Sequence, residues 1–169
     1  KKPRKPGAKN STKQGQHQAR RLASEGFRTL LTCYNRQLAD HLSSLCVGTP
    51  NLDVMSFHQL CHRQVEKANR ASGRDLVSEA KVTYPGKDLY EVQLPNALGY
   101  SLEILSDRYD AIVCDEGQDF REEFWVPLEL LLTDYEVQNL RTAYERTLKV
   151  GSASQKDMSQ QDYELYGTY

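Results

Sequence analysis

Tyr109-Asp110-Ala111-Ile112-Val113-Cys114-Asp115-Glu116-Gly117-Gln118-Asp119-Phe120 runs from an apolar, β-branched segment straight into a cluster of carboxylates. Tyr109–Cys114 reads as a buried strand, and Asp115-Glu116 falls where that strand ends. Working outward, Phe27–Tyr34 (F-R-T-L-L-T-C-Y) has the same β-branched and aromatic character, and Leu52–Met55 is a short strand after the break at Gly48-Thr49-Pro50-Asn51. Helical patterns lie between them. Strands that alternate with helices imply a parallel sheet covered on both faces, so the fold class is α/β with three layers. Ligands of open α/β sheets bind at the carboxyl edge, where Asp115-Glu116 is expected.

The helices carry their own signals. Ala19–Glu25 reads as the end of a helix closed by Gly26. Asn35 is positioned to cap a helix over Arg36–Leu45, with Leu38, Leu42 and Leu45 on one face. Ser56 is the expected N-cap of a helix that turns Phe57, Leu60, Cys61 and Val65 inward. Pro95 opens a helix to Leu105, with Leu98, Leu102 and Leu105 inward. Helices are also expected over Phe124–Leu132 and Val137–Leu148. Residues 69–92 are polar and broken by Gly and Pro, and read as an insertion or long surface loop. No internal repeat is present.

The chain has 169 residues, 38% hydrophobic and 27% charged, enough for one domain with a buried core. No apolar run approaches the ~18 residues of a membrane span, and Lys1-Lys2-Pro3-Arg4-Lys5-Pro6 opens no secretory signal. The absence of Met at position 1 predicts a fragment or a processed chain. A net charge of -1 conceals an asymmetry, because residues 1–21 carry eight Lys or Arg and no acid. Such an arm either binds phosphate backbones or is a solvated, disordered tail, here placed over residues 1–18. Residues 151–169 read as a second polar, disordered tail bearing Tyr163, Tyr166 and Tyr169. Cys33, Cys46, Cys61 and Cys114 lack the paired spacing of a zinc site and read as reduced thiols of a cytoplasmic protein. His58 and His62 stand one helical turn apart beside Cys61. Gln59 occupies the place of a zinc protease's Glu and no third ligand stands out, so metal binding by this trio is not expected.

Two carboxylates at a strand end have two readings. A hard cation such as Mg²⁺ takes oxygen ligands, and an attacking water needs a base within hydrogen-bond reach, which Asp115 and Glu116 would supply. Alternatively, the acidic loop caps the following helix.

The wider pattern separates these readings. Tyr109–Phe120 resembles motif II of the UvrD/Rep-type superfamily 1 DNA helicases, in which D-E-x-Q-D follows a hydrophobic strand. Leu31-Thr-Cys-Tyr-Asn-Arg-Gln-Leu-Ala39 resembles their motif Ia. Val54-Met-Ser-Phe-His-Gln-Leu-Cys-His-Arg63 resembles the T-F-H segment of motif Ib, with Ser56 in place of Thr. The three stand in the family's order, and Asp88–Leu105 is similar to the UvrD-like branch often joined to nuclease-related domains. The likeness spans about residues 19–134. It implies part of the first RecA-like, P-loop NTPase-type motor domain, with residues 135–150 as a following helix. By the resemblance, Asp115 binds the Mg²⁺ of ATP, Glu116 is the catalytic base, and Gln118 and Asp119 couple the nucleotide to DNA. Thr32, Tyr34, Asn35, Arg36, Ser56, Phe57 and His58 contact single-stranded DNA.

The likeness also places the family's phosphate loop, G-x-x-x-x-G-K-[ST], at Lys5–Thr12. There Thr12 falls at the Mg²⁺-ligand position, while Ser11 stands for the Lys and Asn10 for the second Gly. A phosphate cradle needs that Lys and those backbone N–H groups. No motif III and no second motor domain are recognisable after Asp134. The expectation is therefore a helicase fragment that hydrolyses ATP poorly or not at all by itself. The alternative is a non-enzymatic nucleic-acid-binding or degenerate remnant that has lost ATP binding.

Overall fold

A computed structural model of the chain describes residues 8–133, and within them the fold is α/β around a small parallel sheet. The expected helix Val137–Leu148, the tail 151–169 and residues 1–7 of the basic arm lie outside the described residues. The sheet has strands β1 (Thr29–Cys33), β2 (Leu52–Ser56) and β3 (Ala111–Asp115). Their order is β2-β1-β3, all parallel. Both β1 and β3 are buried throughout, which is why neither shows the apolar-polar alternation of a strand with one solvated face.

Successive residues of β1 and β3 feed two cores. Leu31, Cys33, Ala111 and Val113 pack with Ala19 and Leu22 of α1 (Ala8–Ser24) and Ala39 and Leu42 of α2 (Arg36–Leu45). Leu30, Ile112 and Cys114 face the other way. They join Phe57, Leu60, Cys61, Val65 and Ala68 of α3 (Phe57–Ser72), Leu76 and Ala80 of α4 (Leu76–Thr83), and Leu94, Ala97, Leu98 and Leu102 of α5 (Leu94–Ile104). Burying a Leu side chain contributes roughly 1.5–3 kcal/mol, and Leu60, Leu76, Leu94 and Leu98 are all fully buried, so this second core is the main source of stability.

The caps act as their sequences suggest. The Asn35 side chain accepts from the Leu38 N–H, and Ser56 forms a reciprocal capping box with Gln59. Gly73 ends α3 in the left-handed conformation at φ 72°, where a Cβ would be strained. Tyr109 ties the outer strands together: its hydroxyl donates to Asp53 Oδ2 at 2.7 Å, and the Arg28 guanidinium lies 5.0 Å from its ring centre. Burial and the Asp53 charge hold its hydroxyl well above the usual tyrosine range.

Three expectations are corrected. First, residues 8–18 do not form a tail, because α1 begins at Ala8. Its inward positions recur with helical spacing, but they are the half-buried Thr12 and buried Gly15 before Ala19 and Leu22, so no apolar stripe marks the first turns. Second, residues 69–92 are not a long loop. Asn69 Oδ1 accepts from the Leu76 N–H at 3.1 Å, Asp75 caps α4 through Ser78, and a π-helical turn, Leu89–Gln93, runs into α5. Third, Phe124–Leu132 is not one helix. A 3₁₀ turn (Glu122–Phe124) leads into the short α6 (Trp125–Glu129). The chain then straightens so that Leu132 bridges Tyr109 in parallel, with Tyr109 donating to the Leu131 carbonyl at 2.8 Å. All four cysteines are free and buried. Among the described residues, no helix is long and apolar enough to cross a membrane.

Candidate functional site

The parallel register sets Ser56, Cys33 and Asp115 in one row across the carboxyl edge of the sheet. The chain leaves β1 towards β2 on one side, while β3 lies on the other, so the switch in strand order falls between β1 and β3. Open α/β sheets bind their ligands at such a switch point. Tyr34 leaves the edge from β1, Phe57 and His58 from β2, and Glu116 from β3, so three separate sequence segments converge there.

Asp115 is fully buried, and neither carboxylate oxygen has a hydrogen-bond partner within bonding geometry. The Thr12 hydroxyl from the first turns of α1 is near enough to favour its charged form, although outside that geometry. Burial outweighs this and, with the negative charge of Glu116 next door, pushes the Asp115 carboxyl up to about 6. A buried carboxylate with like charge beside it is a poor place for an anion and a good one for a cation. Cys33 and Cys114 flank it as neutral thiols, each pushed up to about 12 by burial and by the charge of Asp115.

Glu116 sits in the left-handed region at φ 53°, ψ 47°, uncommon for a side chain of this size. The strain is held by the tight turn Gly117–Asp119, in which the Asp119 N–H donates to the Glu116 carbonyl at 2.9 Å. The Gln118 side-chain amide donates to the Glu116 carboxylate. Gln118 and Asp119 are themselves exposed. A Cβ at Gly117 would meet the Trp125 ring at 3.7 Å, an ordinary contact. The conformation does not demand glycine there.

The residues expected to touch DNA divide by burial. Tyr34 is 39% exposed, Asn35 and Arg36 are exposed, and His58 is half-buried. Thr32, Ser56 and Phe57 are buried, so they shape the surface from beneath rather than form it. Ser56 is occupied as the α3 cap, and Phe57 stacks at 4.5 Å on Phe124. Phe124 in turn lies parallel to Tyr34 at 6.2 Å. Arg36 pairs with Asp40 at 4.0 Å.

Sequence reading alone did not single out Tyr90. It is 51% exposed, its carbonyl lies 3.0 Å from His58 Nε2, and its ring stands edge-on to that of His58 at 5.6 Å. Asp88, which receives the Tyr90 and Glu91 N–H groups, was the available signal of an ordered turn. Among the described residues, no group of three or more His, Cys, Asp or Glu could hold a metal ion by itself. Comparisons with known protein families, with characterised proteins and with solved structures give no match.

Proposed function

We propose that this chain is a fragment of the first, RecA-like motor domain of a UvrD-like superfamily 1 DNA helicase. In this reading its carboxyl edge serves Mg·ATP on the β3 side and single-stranded DNA on the β1 and β2 side. The observation that carries the reading is Asp115, a buried carboxylate with two unpartnered oxygens at the switch point, close to the Thr12 hydroxyl. Mg²⁺ bound with a nucleotide takes only one or two protein oxygens and fills the rest of its shell with water and phosphate. A two-oxygen set of carboxylate and hydroxyl therefore fits that ion, whereas a cage of three protein ligands is not required.

Asp115 and Thr12 would hold the ion, and the ion would neutralise charge developing on the phosphates. Glu116 has the chemistry of a general base: a carboxylate that takes the proton of an attacking water on an oxygen, oriented by the Gln118 amide. Asp119 sits on the same tight turn, its N–H bonded to the Glu116 carbonyl, the position from which it would couple the nucleotide to DNA. On the DNA side, Tyr34 and His58 present rings, while Asn35 and Arg36 supply polar and cationic groups for phosphates. ATP turnover by the chain alone is expected to be slow or absent, since closure of such a site takes groups from two motor domains.

A second reading is favoured by one sequence fact. Ser11 stands where the phosphate loop needs Lys, which points to a nucleic-acid-binding protein without ATP chemistry. Calorimetric titration with Mg·ATP, beside Asp115→Ala, separates the two. Binding that the substitution abolishes supports the nucleotide site. A folded chain that ignores Mg·ATP but binds DNA in a salt-dependent way supports the second reading.

A further inference from the structure

We propose that Tyr90 is a single-stranded DNA contact, its ring stacking on an unpaired base while its carbonyl fixes the ring of His58. The inference rests on the DNA-binding part of the reading above. It adds a residue from the segment between α4 and α5, outside the three motif-like stretches.

The backbone explains why Tyr90 and His58 meet. In the π-helical turn Leu89–Gln93, each carbonyl looks for an N–H five residues on, and the Leu94 N–H reaches the Leu89 carbonyl in this way. For Tyr90 the fifth residue is Pro95, which has no N–H. The His58 ring lies 3.0 Å from that carbonyl. A carbonyl only accepts, so Nε2 carries the proton and donates, and the imidazole is held in one tautomer and one orientation.

The ring geometry then builds a surface. His58 stands edge-on to Tyr34 at 5.4 Å and 68°, and edge-on to Tyr90 at 5.6 Å and 87°. His62, one turn along α3, meets Tyr90 at 6.4 Å and 67°. In each such pair the edge of one ring meets the face of the other, and Tyr34 also lies parallel to Phe124, so the set is a packed aromatic cluster whose solvent side is what a ligand can reach. Tyr90 at 51% exposure, Tyr34 at 39% and the exposed His62 form its solvent side. Arg121, just beyond the Asp119 turn, pairs with Glu91, so the Tyr90 turn is anchored to the loop that carries Glu116. An aromatic face flanked by histidines at the sheet's carboxyl edge suits a nucleic-acid base, because every base has a π face.

The test is fluorescence anisotropy with the full chain, labelled dT12 and an equally long abasic strand, using wild type, Tyr90→Ala and Tyr90→Phe. Loss of one base stack corresponds to roughly 5- to 150-fold weaker binding. Tyr90→Ala is expected to weaken dT12 binding within that range and to change abasic-strand binding less than about twofold. Tyr90→Phe keeps the ring and the carbonyl and should bind as wild type does. Equal affinity of Tyr90→Ala and wild type for dT12 overturns the inference and leaves the DNA-binding reading intact, as does an equal loss on both strands. Wild type that binds neither strand overturns the DNA-binding reading and the inference with it. A dimer that is lost on Tyr90→Ala, without DNA binding, assigns the face to a second copy of the chain and likewise overturns it.

Discussion

Replacing Asp115 by Asn should make the folded protein more stable at neutral pH, and the gain should vanish in acid. The Asp115 carboxyl is raised by burial from 3.8 to about 6, so the native state keeps this proton more tightly than the unfolded chain does. Between those two values the native state binds more protons, and stability falls as pH rises; above about 6 the penalty levels off. At 1.36 kcal/mol per pKa unit, the full penalty is roughly 3 kcal/mol at pH 7, against about 1 kcal/mol at pH 4.5. The difference between wild type and Asp115→Asn should therefore move by about 2 kcal/mol between those pH values, in favour of the variant at pH 7. Asp75, Glu79 and Asp107, whose carboxyls are lowered by Ser78, Arg74 and Lys67 respectively, act in the opposite sense at lower pH and are common to both proteins. Urea titrations at the two pH values read the change as a midpoint shift of roughly 1 M, given a slope of 1–3 kcal/mol per molar for a small domain. Parallel behaviour of the two proteins across pH would refute the argument that burial outweighs the groups favouring the Asp115 charge.

Other expectations follow from packing and capping. Leu98→Ala empties a fully buried position where α5 meets the core it shares with α3 and should cost about 2–5 kcal/mol by denaturant unfolding. Ser56→Ala removes the capping box of α3 and should cost about 1 kcal/mol, with Ser56→Asn recovering most of it. Asp75→Ala should lower stability by about 1 kcal/mol and speed amide exchange in Leu76–Thr83, whereas an unstructured loop would show no protection to lose.

Legibility followed the strength of local signals. Arg36–Leu45 is the observed α2 residue for residue, because Asn35 announces its start and Leu38 and Leu42 keep its period. The stretch Tyr109–Phe120 fell on a strand end because its β-branched run gives way to carboxylates, the first of which, Asp115, closes β3. The misses have the opposite character. Helix α4 buries only Leu76 and Ala80 fully, too few apolar positions to display a period over eight residues. The first turns of α1 face inward through Thr12 and Gly15, which in a sequence look like tail residues. Burial of Thr32 and Phe57 was likewise not written in their residue types, since both also occur on nucleic-acid surfaces. Tyr90 depended on a carbonyl left over by Pro95, a consequence of a π-helical turn that no hydrophobic pattern announces.

The most direct test of the central claim is titration of Mn²⁺ into the chain with ATP present, followed by electron paramagnetic resonance. Mn²⁺ accepts the oxygen ligands of Mg²⁺ and reports its own bound fraction. The account predicts one ion bound with the nucleotide by wild type and none by Asp115→Asn, the variant expected to be more stable, so that loss of binding cannot come from unfolding. A folded wild-type chain that binds no ion, or equal binding by both proteins, would contradict it.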